Sequence, residues 1–158
     1  MSLPDQLGSS LRAKGWTVAV AESCTGGKLS DMITSVPGSS DYFLGGVISY
    51  SNSAKVGLLG VDQESLRSFG AVSEKVALQM AEGARTAFGA DMGVSTTGVA
   101  GPGGGSSEKP VGLVYIAVST RDRSACRKLL SAGARDEIKR KSSESALALA
   151  MEYLAEPK

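Results

Sequence analysis

Residues 16–33, WTVAVAESCTGGKLSDMI, decide the fold. The first eight carry a nearly unbroken apolar run, which reads as a short strand buried on both faces rather than a half-exposed, alternating one. Gly26 and Gly27 then open a segment in which Leu29, Met32 and Ile33 recur with helical spacing, until SVPGSS (35–40) breaks it. A buried strand running directly into a helix is the β-turn-α unit of layered α/β proteins. The turn also places Ser23 and Cys24 beside free backbone N–H groups, where an anion or a developing oxyanion can be held. Ser23 is therefore either a helix cap or a nucleophile.

Outward from this unit the same alternation continues. Upstream, Leu3, Leu7 and Leu11 stand four apart on one helical stripe that Gly15 ends. Downstream, a short strand is expected over Val47–Tyr50, then Ser51, Asn52 and Ser53 as capping residues, then a helix through Lys55 to Leu59. Val76, Met80, Ala84 and Ala87 repeat with helical spacing from Ser73 to Phe88, with Glu74 in the first turn where the helix dipole favours it. Met92–Thr96 reads as a strand feeding a loop with five glycines and one proline, residues 97–105. VGLVYIAVST (111–120) is another buried strand, and SACRKLLSA (124–132) its antiparallel neighbour across the RDRS turn. Arg135 to Leu154 closes the chain as a helix with Ile138, Ala146, Leu149 and Tyr153 inward. The expectation is an α/β protein with helices on both faces of a mixed sheet, organised as one domain over residues 1–158.

Composition narrows the chemistry. The chain has 42% hydrophobic and 21% charged residues and a net charge of +1, so it has no basic field for gripping nucleic acid. No apolar run approaches the ~20 residues of a membrane span, and the first 15 residues lack the pattern of a signal peptide, so a cytoplasmic location and no membrane partner are expected. Cys24 and Cys126 are too few and too distant for a disulfide framework. There is no histidine, which excludes a Ser-His or Cys-His mechanism within one chain and removes the commonest metal ligand. With no cluster of ligand spacing either, a site without metal or cofactor is expected.

Three polar turns, ESCTGG (22–27), YSNSAK (50–55) and TTGVAGPGGG (96–105), fall at strand ends, where ligands bind in open α/β sheets. A serine nucleophile without histidine needs another base, and Lys55 is available near a helix start, where dipole and burial both push an amine toward neutrality. Tyr50 stands beside it as a hydrogen-bond donor or as packing. Glu22 is an acid, a base, or a brace accepting backbone N–H groups. The backbone of Thr25, Gly26 and Gly27 is the candidate oxyanion cradle. The hydroxyls of Thr96 and Thr97 and the close backbone approach at Gly98 and Gly101 suit a phosphate or ribose, with Arg135 or Arg140 from the last helix supplying charge.

Together AESCTGG, GGVISYSNSAKVGLLGV, GAVSEKVALQMAEGAR, STTGVAGPGGGSSEKPVGLVYIAV and GARDEIKRKSSESAL resemble the CinA C-terminal domain family, over Leu7 to about Leu154. The resemblance implies a three-layer α/β/α sandwich with a mixed sheet, and the stand-alone form of a domain that many members carry behind a further N-terminal one. It also implies deamidation of nicotinamide mononucleotide to nicotinic acid mononucleotide and ammonia, with Ser23 as nucleophile, Lys55 as base and Tyr50 assisting. The alternative is a nucleotide-binding or protein-interaction domain that has lost catalysis. The partner expected is the small-molecule substrate, with room for a homo-oligomer. Lys139 stands where relatives often carry arginine, and lysine lacks the planar fork that grips a phosphate.

Overall fold

The computed structural model describes residues 1–155. Its elements are, in order, α1 (Leu3–Lys14), β1 (Val18–Glu22), α2 (Lys28–Thr34), β2 (Phe43–Ile48), α3 (Asn52–Leu59), α4 (Gln63–Phe69), α5 (Glu74–Phe88), β3 (Met92–Gly98), β4 (Leu113–Thr120), β5 (Ser124–Leu130) and α6 (Arg135–Ala155), with a 3₁₀ turn at Ser39–Asp41. The sheet runs β2-β1-β3-β4-β5. β1 pairs in parallel with both β2 and β3, whereas β4 and β5 join by antiparallel ladders. The mixed sheet expected from the RDRS hairpin is present.

Every residue of β1 is buried, because helices cover both faces of the sheet. Val18 and Val20 point into a core built with α1, α2 and α6, including Leu7, Leu11, Leu29, Ile33, Ile138 and Leu147. Ala19 and Ala21 point the other way, to Leu59, Val76, Met80 and Ala84 of α3 and α5. The α5 face is lined by small residues, so that helix lies close to the sheet. A Cβ on Gly93 would strike the Ala81 carbonyl, and Ser95 Oγ reaches the Ala77 carbonyl at 2.6 Å.

β1 lies between β2 and β3, and the chain leaves it first to one side and then crosses to the other. The carboxyl end of β1 is therefore the point where strand order reverses, the position at which such sheets open a crevice. Register brings Ile48, Glu22 and Thr96 side by side there. Two expectations need correction. β2 covers Phe43–Ile48, not Val47–Tyr50: pairing with β1 carries Gly45 and Gly46 into the ladder despite their weak strand preference, and Ser49 leaves it by donating its N–H to the Glu22 carbonyl at 2.7 Å. α4, capped by Asp62 through the Glu64 N–H, is a helix the apolar spacing did not signal. No helix among the described residues is long and apolar enough to cross a membrane.

Candidate active site

Ser23 is the first residue past β1, held by its N–H on the Thr96 carbonyl at 3.1 Å. It does not cap α2. That role falls to Gly27, which has no side-chain cap bond, and the Ser23 hydroxyl is instead 3.0 Å from Lys55 Nζ. Lys55 reaches it from the first turn of α3, whose cap is Ser51, accepting from the Ala54 N–H at 3.1 Å. Its side chain is almost fully buried, at 1% exposure, and Nζ also donates to the Ser49 carbonyl at 2.7 Å. Among the described residues no carboxylate pairs with it, so burial lowers its pKa from the ordinary lysine value. A neutral amine that donates to Ser49 keeps its lone pair for the Ser23 hydroxyl proton, which is the geometry of a serine and its base.

Cys24 is buried and its thiol is pushed up to about 12 by desolvation, so at neutral pH it stays protonated and acts as packing. Glu22 is wholly buried and braces the turn. Its carboxylate accepts from Thr25 Oγ1 (2.5 Å), the N–H groups of Gly27 (3.1 Å), Leu29 (3.0 Å) and Ser30 (2.9 Å), and Ser30 Oγ (2.6 Å). Those bonds revise the oxyanion cradle. Gly27 N–H is committed to Glu22 and Gly26 N–H to the Ser23 carbonyl. Apart from the Cys24 thiol, which the Cys24 N–H meets, the N–H groups of Cys24 and Thr25 have no acceptor among the described residues, and they are the donors left beside Ser23.

Thr96 and Thr97 also serve the framework. Thr96 Oγ1 shares a hydrogen with Thr25 Oγ1 at 2.7 Å, and Thr97 Oγ1 donates to the Ala71 carbonyl at 2.9 Å. Tyr50 lies beyond the end of β2, is 62% exposed, and its hydroxyl accepts from Arg135 Nη2 at 3.1 Å rather than meeting Ser23. Arg135 also donates to the Gly101 carbonyl at 2.6 Å, tying the glycine loop to the start of α6. Arg140 is not at the site: its guanidinium pairs with Glu144 at 2.5 Å on the outer side of α6.

Ser23, Cys24, Tyr50, Lys55, Thr97, Gly98 and Arg135 line one cavity of about 230 Å³, so residues from all three polar turns converge. Asn52, Ala71, Val72 and Ala100 complete its wall. Ala71 and Val72 precede α5 and gave no sequence signal, since small apolar residues in a turn are unremarkable until a neighbour makes them a wall. No cluster of metal-ligating side chains occurs among the described residues.

The fold and the site define a class: an α/β sandwich with a buried serine-lysine pair at its strand-order reversal. The chain belongs to the CinA C-terminal domain family, whose model matches residues 1–154. It is 51% identical over 155 residues to a CinA-like protein of Gloeothece citriformis, a match covering 89% of this chain and 37% of that one. A CinA-like protein of Chlorobium limicola is 49% identical over 160 residues, covering 98% and 37%. The chain thus spans little more than a third of the length of these sequence relatives. Among solved structures it superposes on the competence/damage inducible protein CihA from Agrobacterium tumefaciens with a TM-score of 0.93 at 40% identity, covering 98% of this chain and 94% of that one. The competence damage-inducible protein A (ComA) from Klebsiella pneumoniae gives 0.95 at 33% identity, covering 99% and 97%.

Proposed function

We propose that the protein is an amidohydrolase that converts nicotinamide mononucleotide to nicotinic acid mononucleotide and ammonia. The observation that carries this reading is the Lys55 amine, buried, without a carboxylate, 3.0 Å from the Ser23 hydroxyl. In the first step Ser23 Oγ attacks the carboxamide carbon as its proton passes to Lys55 Nζ. The tetrahedral oxyanion is met by the N–H groups of Cys24 and Thr25. Each such donor contributes about 2.7–4 kcal/mol where comparable holes have been dissected. Collapse expels ammonia, which takes its proton back from Lys55 and leaves an ester on Ser23. Water, deprotonated by the same amine, then releases the carboxylate. Tyr50 and Arg135 stand at the cavity wall to orient the substrate.

Ammonia release from nicotinamide mononucleotide by the purified protein tests this. Ser23→Ala is expected to lower kcat by at least about 10³-fold, and Cys24→Ala to leave it within a few-fold. Binding of the nucleotide with no ammonia would mean a binding module instead. Normal rates in folded Ser23→Ala would remove the serine from the reaction.

A further inference from the structure

Glu22 and Thr96 are register partners in the parallel ladder of β1 and β3, and both side chains are wholly buried. Between them stands the Thr25 hydroxyl, 2.5 Å from Glu22 Oε1 and 2.7 Å from Thr96 Oγ1. Chemistry fixes the direction of this chain. A carboxylate only accepts, so the single Thr25 hydroxyl hydrogen goes to Glu22, and the hydrogen between the two threonines comes from Thr96. The relay runs from Thr96 through Thr25 to Glu22.

Its far end is anchored. Glu22 Oε1 also takes the N–H groups of Gly27 and Leu29, and Oε2 takes the N–H and hydroxyl of Ser30, so the carboxylate is fastened to the start of α2. The near end is anchored too, because Thr96 lies inside the sheet between Glu22 of β1 and Ile116 of β4. Thr96 thereby grips the nucleophile turn twice. Its carbonyl accepts the Ser23 N–H at 3.1 Å, and its hydroxyl donates to Thr25 two residues further on. The N–H groups of Cys24 and Thr25 belong to the segment between these two anchors. A buried relay with one direction, ending on a charge whose other bonds are all made, holds one geometry.

We propose that Thr96 is a positioning residue: its hydroxyl, acting through Thr25 and Glu22, holds the Cys24 and Thr25 N–H groups where the oxyanion forms. The catalytic consequence rests on the function proposed above, whereas the fixed geometry of the turn does not.

Thr96→Val removes the hydroxyl while keeping the carbonyl and a β-branched residue in the strand, and Thr96→Ser keeps the hydroxyl without the methyl. NMR order parameters of the Cys24 and Thr25 N–H vectors read the positioning with no substrate present. They are expected at about 0.85 in the unmodified protein and in Thr96→Ser, and below about 0.6 in Thr96→Val. Thr25→Val breaks the relay at its middle and is expected to loosen the same groups, and the double variant to loosen them no further. In ammonia release from nicotinamide mononucleotide, Thr96→Val is expected to lower kcat about 10–100-fold with KM changed less than about twofold, and Thr96→Ser to recover most of the loss. Order parameters in Thr96→Val equal to those of the unmodified protein would overturn the proposal. So would loosening, or a loss of kcat, that Thr96→Ser shares, because the cause would then be packing of the methyl rather than the hydroxyl. A Thr96→Val protein loosened at both groups yet unimpaired in kcat would overturn it as well. Loosening confined to Thr96→Val, in a protein that releases no ammonia even when unmodified, would retain the relay and discard the amidase.

Discussion

Lys55 pairs a catalytic opportunity with a cost to the fold. A buried amine is expensive to protonate, and the Ser49 carbonyl and Ser23 hydroxyl that meet it carry no charge. Its pKa is lowered in the folded chain, so the unfolded chain binds more protons between that lowered value and the ordinary 10.5. Stability from this group is therefore complete above 10.5 and is lost as pH falls to the folded value. Lys55→Met keeps the length of the side chain and removes the titration. It is expected to abolish turnover while raising the urea midpoint at neutral pH, with the gain shrinking as pH climbs toward 10.5. A midpoint lower than that of the unmodified protein across this range would show that the amine contributes more through its hydrogen bonds than burial takes away. In the reaction proposed above the same titration sets the pH profile: kcat/KM is expected to rise with pH through the lowered Lys55 value and then level, because that mechanism needs the neutral amine to accept the Ser23 proton.

At the scale of elements, the close approach of α5 to the sheet holds β3 beside β1 and thereby Thr96 against the Ser23 turn. Gly93 sits at the contact, where a Cβ would meet the Ala81 carbonyl and the Arg85 Cβ. Backbone cannot yield there as a flexible side chain can, so Gly93→Ala is expected to destabilise by about 1–3 kcal/mol in urea denaturation. An unchanged midpoint would mean that α5 can lift off the sheet at little cost. Such tertiary closeness explains what was and was not legible in the sequence. β1 and α2 were legible from 16–33 because continuous burial and helical spacing are local signals, and Ser23 and Lys55 followed from the absence of histidine together with the family resemblance. β2 was misplaced because its glycines become strand only through pairing with β1. The N–H groups of Gly26 and Gly27 read as free donors in the sequence because their acceptors, the Ser23 carbonyl and the Glu22 carboxylate, meet them only on folding. Arg140 reads as a phosphate partner from its guanidinium and its place near the start of α6, but the face a residue presents depends on where its helix docks, and here Arg140 pairs with Glu144 away from the cavity.

At the scale of the molecule, the net charge of +1 means that electrostatic recognition is local to the cleft rather than a long-range field. Arg135 is exposed, whereas Ser23 and Lys55 are buried. Added salt should therefore act on the two stages differently. Raising ionic strength from 0.1 M to 1 M shortens the screening length from about 10 Å to about 3 Å, which weakens a rim cation's hold on phosphate but leaves a buried proton transfer nearly untouched. The expected outcome is a severalfold rise in KM for nicotinamide mononucleotide with kcat unchanged. Nicotinamide riboside, which lacks the phosphate, should start with the higher KM and respond to salt hardly at all. Steady-state ammonia release for both substrates at the two ionic strengths separates the possibilities. If kcat fell in parallel for both compounds, salt would be acting on the serine-lysine chemistry or the fold. Equal salt response of the two KM values would mean that Arg135 does not read a phosphate.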